Sequence, residues 1–154
     1  MNPSQTFLRS ALFVLAALLL AACSSEPDVS PEQQVRDTLE AIEIAVEARS
    51  LSGIMEHVSD DYQDHRGQTK KDVARLMQLQ IIRNQKITIF TRIKSIDIND
   101  GIAGVELSSA MASRAIDLSI ESNRLKADTA KFSLVLTKEG NQWQVQSGSW
   151  QRGW

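Results

Sequence analysis

The chain has 154 residues, and its 17 Lys and Arg side chains are nearly balanced by 19 Asp and Glu, giving a formal net charge of −2. It contains no run of Lys or Arg, so it lacks the basic stripe with which proteins bind nucleic acid, and we expect no nucleic-acid partner. A chain of this length buries one modest hydrophobic core, and we expect a single domain rather than two.

The first 22 residues have the pattern of a bacterial signal peptide. Residues 1–9 carry one positive charge, Arg9, whereas every residue from Ala11 to Ala22 is apolar. A helix of these 12 residues would be about 18 Å long, against about 30 Å for the hydrocarbon core of a bilayer. The run is therefore too short to span a membrane and suits the apolar part of a signal peptide over residues 1–22.

The end of this run predicts a lipid anchor. Leu20-Ala21-Ala22-Cys23 matches the lipobox of bacterial lipoproteins, in which small residues admit the peptidase and the cysteine thiol receives diacylglycerol. Cys23 is also the single cysteine of the chain. The alternative is an ordinary secretory signal in which Cys23 is incidental. We expect cleavage before Cys23 and attachment of two or three acyl chains such as palmitate, which would hold the protein on a membrane permanently.

The residue after the cysteine indicates which membrane the lipid anchor is directed to. In Gram-negative lipoproteins an aspartate at this position resembles an inner-membrane retention signal, so Ser24 favours the periplasmic face of the outer membrane. Residues 23–29 have no periodic pattern and would form a lipidated tether, and the domain would span residues 30–154. Because Arg9 is the only charge in the leader, its removal changes the net charge to −3.

Helices are predicted after the tether. Ser30 and Pro31 are typical of a helix start, and apolar residues at three- and four-residue steps extend an amphipathic helix over about 31–49. One or two further turns are expected over 53–58. Thr69 is the predicted N-cap of a second long helix that should end near residue 84. Its expected buried stripe consists of Val73, Leu76, Met77 and Ile81.

From Lys86 onward the apolar pattern alternates, as in a β-strand. The phase changes before Ile96, so one extra residue near Lys94 or Ser95 predicts a β-bulge. Asn99-Asp100-Gly101 predicts a hairpin turn into a return strand. Residues 114–124 are ambiguous between a loop and a short strand.

Two further strands complete the predicted sheet. A third strand is centred on Leu134, and a turn over 139–141 leads into the fourth. Trp150 is out of phase with Trp143 on that strand, so a second bulge is predicted near Gly148. Helices followed by long antiparallel strands indicate an α+β fold.

Three stretches of the chain carry a resemblance to a known superfamily. Over roughly residues 31–152 the chain resembles NTF2-like proteins, which include SnoaL-like and ketosteroid-isomerase-like proteins, and in particular a group of proteobacterial NTF2-like lipoproteins. The resemblance implies a cone in which N-terminal helices pack on a curved, mostly antiparallel sheet of four or more strands. The stretches are Ser59-Asp60-Asp61-Tyr62 through Gly67, Ala110-Met111-Ala112-Ser113-Arg114, and Trp143-Gln144-Val145 through Trp150-Gln151-Arg152.

The segment before Gly67 offers a possible metal site. His57, Asp61 and His65 are spaced four residues apart, and on a continuous helix two imidazoles and a carboxylate in this spacing would suit zinc. Residues 59–60, however, are typical of a helix break, which would destroy the alignment and leave a surface loop. We expect no metal ligands and no cofactor.

Asp61, Tyr62, Asp64 and His65 are the candidate catalytic residues. Ketosteroid-isomerase-like relatives use an aspartate base with tyrosine and a protonated acid as oxyanion donors, and scytalone-dehydratase-like relatives use histidine, aspartate and tyrosine. Burial would raise the pKa of such a carboxyl group. Tyr62 is nevertheless the single tyrosine, and the inward phases of the strands are largely aliphatic. The alternative is that the aspartates only cap the second helix and its turn, with Tyr62 packing beneath.

Aromatic residues give the candidate ligand pocket, formed by Tyr62, Trp143 and Trp150, with core packing as the alternative for both tryptophans. We expect a non-enzymatic module that binds a small amphipathic ligand or an envelope protein. The alternative is an isomerase, dehydratase or cyclase that uses Asp64 or Asp61 as base. A third hypothesis is a homodimer, because relatives often pack sheet against sheet. One scaffold serves all of these functions.

Overall fold

The computed structural model describes residues 29–112 and 128–152. The predicted α+β order of helices before strands is confirmed. The predicted leader, Cys23 and the ambiguous segment 114–124 lie outside the described residues. In the described ranges, no helix combines the length and the apolar content needed to cross a bilayer. The elements are α1 (Pro31–Glu47), α2 (Leu51–Glu56), α3 (Lys70–Arg83), β1 (Thr88–Asn99), β2 (Ile102–Ala112), β3 (Asp128–Glu139) and β4 (Gln142–Arg152).

Helix α1 packs on the sheet through an apolar stripe. Val35 and Leu39, four residues apart, are buried in the core. The helix ends at Glu47, slightly earlier than predicted, because Arg49 adopts a left-handed backbone with φ of 57° that a right-handed helix cannot include. Ser50 then caps α2, and its Oγ accepts a hydrogen bond from a main-chain N–H at 3.1 Å.

Helix α3 begins as predicted but lies less deeply than predicted. The main-chain N and the Oγ1 of Thr69 both donate to Asp72 Oδ2, at 3.0 and 2.8 Å, and these bonds hold the pKa of Asp72 below its ordinary value. The predicted buried stripe is wrong in part, because Leu76 is 39% exposed and no residue of α3 is fully buried. The helix packs against α2 rather than across the sheet, and Val73 provides its contact with the core.

The four strands pair as antiparallel neighbours in chain order. Asp100 and Gly101 connect β1 to β2, and both have positive φ, 48° and 77°. This is the pattern of a type I′ turn, whose twist matches that of the strands, so the hairpin prediction is confirmed. Gly140, with φ of 63°, lies in the turn from β3 to β4.

Two bulges interrupt the pairing and set which side chains share a face. On β1 the register shifts between Ile93 and Ser95 and leaves Lys94 without a partner, as predicted. On β4 it shifts across Gln146, two residues before the expected position at Gly148. Each bulge reverses the phase of the strand beyond it.

The hydrophobic core lies between the helices and one face of the sheet, which we call the core face. Val105 and Leu107 of β2 are buried there, so Gly104 and Glu106, which alternate with them, point to the opposite side, the outer face. The β4 bulge places Trp150 on the same face as Trp143. The buried core cluster comprises Val35, Leu39, Val58, Tyr62, Ala103, Val105, Leu107, Leu136, Trp143 and Val145.

Candidate functional site

The polar segment after α2 runs along the free edge of β4. Val58 forms a parallel bridge with Val145. Farther along, Gln63 N donates to Gln146 O at 3.0 Å, and so the segment pairs with the edge that would otherwise be unpaired. Because α2 ends at Glu56, the aligned helix needed for the zinc hypothesis does not form. Among the described residues, no three His, Cys, Asp or Glu side chains are grouped as metal ligands.

Asp64 organises the turn that leads to α3. Its Oδ1 accepts hydrogen bonds from the main-chain N–H groups of Arg66 at 2.7 Å and Gln68 at 2.8 Å. Its own N donates to Gln68 O at 3.1 Å, and Gly67 completes the turn with φ of 75°. The side chain is only 6% exposed, and Oδ2 is buried without a hydrogen-bond partner in the described part of the chain. One carboxylate oxygen is thus committed to the turn, as the turn-forming interpretation predicts.

Tyr62 lies beneath this turn in the core. It is 8% exposed, and its hydroxyl oxygen would be 3.5 Å from a Cβ placed on Gly148. Burial, and secondarily the negative charge of Asp64, raise the pKa of Tyr62 above its ordinary value. The hydroxyl therefore stays protonated at neutral pH.

The two aspartates before Tyr62 are solvent-facing. Asp61 is exposed. Asp60 forms a 2.8 Å ion pair with Lys70, and that ammonium group, by hydrogen bonding and then by charge, lowers the pKa of Asp60. The ion pair joins the start of the segment to the first residue of α3.

His65, Arg66 and Trp150 form a cluster beside the turn. The His65 ring meets the Trp150 ring edge to face, with centroids 5.2 Å apart and planes at 86°. The Arg66 guanidinium carbon lies 5.1 Å from the Trp150 ring centre, in cation–π geometry. His65 Nδ1 is 3.3 Å from Gly148 O, and Arg66 Nε donates to His65 Nε2 at 3.3 Å. The cluster joins the edge segment to β4.

The three predicted pocket residues are placed differently from one another. Trp143 is 3% exposed and belongs to the core, as the core-packing alternative predicts. Tyr62 belongs to the same core, whereas Trp150 is half-buried under His65 and Arg66. Their assignment to a ligand pocket stays a prediction, and so do the catalytic roles of Asp61, Tyr62, Asp64 and His65.

A cleft of about 490 Å³ opens on the outer face of the sheet. Two cross-strand rows form its floor, the first running from Asp97 to Ser147 and the second from Glu106 to Ser149. Its wall at the β4 edge is the segment that carries the candidate catalytic residues. The lining residues are Gln63, Asp64, His65, Asp97, Gly104, Val105, Glu106, Ser133, Leu134, Val135, Ser147, Gly148 and Ser149.

Sequence reasoning missed most of this cleft. Asp97, Glu106 and Ser133 occupy the outward phase of their strands, where polar residues are expected in any sheet that covers a core. The available signal was the small size of the outward residues, such as Gly104 and Ser147, in neighbouring strands. It becomes informative only when the register aligns them.

Comparison with known proteins supports the fold. No protein-family model and no curated protein matches the chain. The Bdellovibrio bacteriovorus protein Bd1075 matches with a TM-score of 0.66 at 11% identity over 79% of this chain, which spans only 40% of that protein. A candidate scytalone dehydratase from Novosphingobium aromaticivorans gives 0.66 at 10% identity, over 80% of this chain and 84% of that one.

A third similar structure is a candidate dehydratase of the NTF2-like family from Streptomyces avermitilis. It gives a TM-score of 0.65 at 16% identity and covers 83% of this chain and 99% of its own. Together with the helices and the bent antiparallel sheet, these likenesses confirm the predicted NTF2-like fold. The narrower resemblance to proteobacterial lipoproteins stays a prediction.

Proposed function

We propose that the protein is a lipoprotein anchored to the periplasmic face of the outer membrane, and that its NTF2-like domain binds a small ligand or a partner without converting it. One contrast carries the proposal. The best-buried acid–base candidate, Asp64, holds a turn through its Oδ1. The side chains of Asp97, Glu106 and Ser133 in the adjacent cleft have no hydrogen bond or ion pair among the described residues, and they are exposed.

The cleft has the size and the chemistry of a binding site. Its volume falls within the range of about 300–1,000 Å³ that is usual for small-ligand sites. The carboxylates of Asp97 and Glu106 accept hydrogen bonds, the hydroxyl of Ser133 both donates and accepts, and Val135 adds an apolar surface. These groups suit a small ligand that carries hydroxyl groups and one apolar side.

The lipid anchor is supported by the sequence Leu20-Ala21-Ala22-Cys23. A tether from Cys23 to Ser30 reaches at most about 25 Å, so the domain would remain close to the bilayer. Substituting Cys23→Ser should abolish incorporation of radiolabelled palmitate and release the protein from the outer-membrane fraction. Unchanged labelling and sedimentation of the variant would contradict the anchor.

One observation favours the enzymatic alternative. Asp64 keeps a buried oxygen without a partner, and Tyr62, whose pKa its charge helps to raise, stays protonated nearby. An aspartate base with a protonated tyrosine as hydrogen-bond donor is the pairing implied by the isomerase-like resemblance. If this alternative holds, Tyr62→Phe would reduce turnover of a substrate while leaving folding stability close to that of the wild type.

Native mass spectrometry tests the binding proposal. The mature protein would be purified from the envelope of a Gram-negative host in mild detergent. We expect a reproducible added mass on the folded protein that disappears after unfolding, and its fragmentation would identify the ligand class. A protein free of added mass, without a co-purifying protein partner, would contradict the binding proposal.

A further inference from the structure

We propose that the exposed face of helix α3 lies on an anionic phospholipid surface and orients the domain on the membrane that carries its lipid anchor. The inference rests on the anchor in the proposed function and deepens it by naming the face that contacts the bilayer. This exposed face of α3 comprises the side chains of Arg75, Leu76, Leu79, Ile82 and Arg83.

The apolar members of this face share one side of the helix. Leu79 lies three residues from both Leu76 and Ile82, and residues three apart are neighbours on a helix surface. Leu76, Leu79 and Ile82 are 39%, 47% and 68% exposed. Val73, through which α3 contacts the core, lies about 120° around the helix from Leu79. The three apolar side chains therefore project away from the core.

Basic side chains border these apolar residues. Arg75 and Arg83 lie four residues before and after Leu79, so both extend from the same face. Residues 70–86 contain five Lys and Arg and one acidic residue, Asp72, although the net charge of the whole chain is −2. An apolar stripe bordered by cations is the pattern of a helix that lies in the plane of a lipid surface, and anionic headgroups attract its excess positive charge.

Both ends of α3 are fixed to the rest of the domain. At its start, Lys70 forms a 2.8 Å ion pair with Asp60. At its end, Arg49 donates from Nη2 to Ile81 O at 2.8 Å and from Nη1 to Gln85 O at 3.4 Å. The helix is thus ordered before it meets a membrane, so docking does not carry the entropy cost of folding it.

The tether brings this face within reach of the bilayer. From Cys23 to Ser30 it spans at most about 25 Å, whereas a domain of this size is about 35 Å across, so one face would lie at the membrane surface. Arg49, which follows α1, contacts the end of α3. The start of α1 therefore lies about 25 Å, the length of α1, from that end. The tether is long enough for α3 to lie on the bilayer.

The test uses the full mature lipoprotein, purified in mild detergent and reconstituted into vesicles of phosphatidylethanolamine and phosphatidylglycerol. In Ile82→Cys the new thiol is the only free one when Cys23 carries the lipid, and it would be labelled with an environment-sensitive fluorophore. We expect nitroxide groups on the upper acyl chains to quench this label at least about twofold.

Ser95→Cys is the matched control for the label. Ser95 is exposed and pairs with Glu106 on the outer face of the sheet, on the side opposite the helices. The same fluorophore at this position should remain unquenched, which accounts for any affinity of the fluorophore itself for lipid.

The contribution of charge is measured in the Ile82-labelled protein. Arg75→Gln combined with Arg83→Gln should weaken docking several-fold, seen as lost quenching, because each basic side chain near an anionic surface adds to the attraction. Vesicles of phosphatidylcholine alone should likewise quench the label less. Arg92→Gln removes an exposed basic side chain from the outer face and should leave the quenching unchanged.

Equal quenching of the labels at positions 82 and 95, or quenching that is unchanged without the two arginines, would overturn the inference. A label at position 82 that is shielded from aqueous iodide but not quenched by the lipid would assign this face to a second copy of the chain, and would also overturn it. If the wild-type protein does not float with the vesicles, the lipid anchor is refuted and this inference with it. Flotation without quenching refutes only the contact made by α3.

Discussion

Gly148 of β4 packs so closely on Leu134 of β3 that a Cβ placed on the glycine would lie 3.1 Å from Leu134 Cδ2. Just before Gly148, the Gln146 bulge reverses the phase of β4, and this reversal turns the glycine toward the core face. The hydroxyl oxygen of Tyr62 is 3.5 Å from the same Cβ position. A side chain at position 148 would therefore meet both β3 and Tyr62.

Gly148→Ala should therefore lower the free energy of unfolding by about 1 kcal/mol, because the added methyl group must displace Leu134. Gly104→Ala on β2 is the matched control. Its nearest neighbour would be 3.9 Å away, and alanine is the better strand residue, so this variant should be neutral or slightly stabilised. Urea denaturation measures both variants. Equal stability of the two would show that the contact at Gly148 relaxes without cost.

Replacement of Asp64 should damage the turn before α3. Asp64→Ala leaves the N–H groups of Arg66 and Gln68 without their acceptor, and we expect a loss of about 1–3 kcal/mol in the free energy of unfolding. Asp64→Asn retains an acceptor oxygen and should lose less. The control is Asp61→Ala at an exposed aspartate, which should change stability by less than about 0.5 kcal/mol. Chemical denaturation in which Asp64→Ala matches the control would refute this role.

Tyr62 should make stability fall at alkaline pH. Burial raises the pKa of Tyr62 in the folded protein, whereas in the unfolded chain the same hydroxyl ionises at about pH 10. Below that pH Tyr62 is protonated in both states, and its ionisation adds no pH dependence to the free energy of unfolding. As the pH rises from that value to the folded pKa, Tyr62 loses its proton in the unfolded chain but keeps it in the folded protein. The free energy of unfolding therefore falls over this range.

Because Tyr62 is the single tyrosine, the near-ultraviolet absorbance of tyrosinate reports its titration directly. The midpoint should lie higher in the folded protein than in concentrated urea. Tyr62→Phe should remove the corresponding part of the alkaline loss of stability, which denaturation at several pH values would measure. Coincident midpoints in the two solvents would rule out the raised pKa.

Apolar residues of α3 should matter less than their helical pattern suggests. Leu79 is 47% exposed, and Leu79→Ala should change the free energy of unfolding by less than about 0.5 kcal/mol. Leu136 on β3 is fully buried, and Leu136→Ala should cost about 2–5 kcal/mol. Thermal and urea unfolding of both variants would compare the same Leu→Ala change at an exposed position and at a buried one. A large loss for Leu79→Ala would mean that this face of α3 is covered.

Local patterns predicted the elements well because each depends on neighbouring residues. The Thr69 cap, the Asp100-Gly101 turn and the bulge at Lys94 follow from short stretches of sequence, and the structure confirms all three. The burial of α3 did not follow, because periodicity gives the apolar face of a helix but not the element that covers it. Leu76 shows this limit, since it lies in the apolar stripe and remains exposed.

The candidate site was likewise predictable from the sequence only in part. Asp64 and Tyr62 are adjacent in sequence and could be selected as a group, although their hydrogen-bond partners could not. Asp97 and Ser147 are far apart in the chain and meet only because three strand registers place them in one row. The contact between Arg66 and Trp150 depends likewise on the edge segment pairing with β4. Such registers between distant strands cannot be predicted from short stretches of sequence.

Blocking the outer-face cleft and measuring ligand retention by native mass spectrometry tests most directly whether this cleft is the binding site. Ser133→Trp places a large side chain among the lining residues, whereas Ser108→Trp adds the same side chain on the outer face outside the lining. We predict that the added mass found on the wild-type protein is lost from Ser133→Trp and kept by Ser108→Trp, with both variants folded. Full retention of the ligand by folded Ser133→Trp would contradict the claim that this cleft is the binding site.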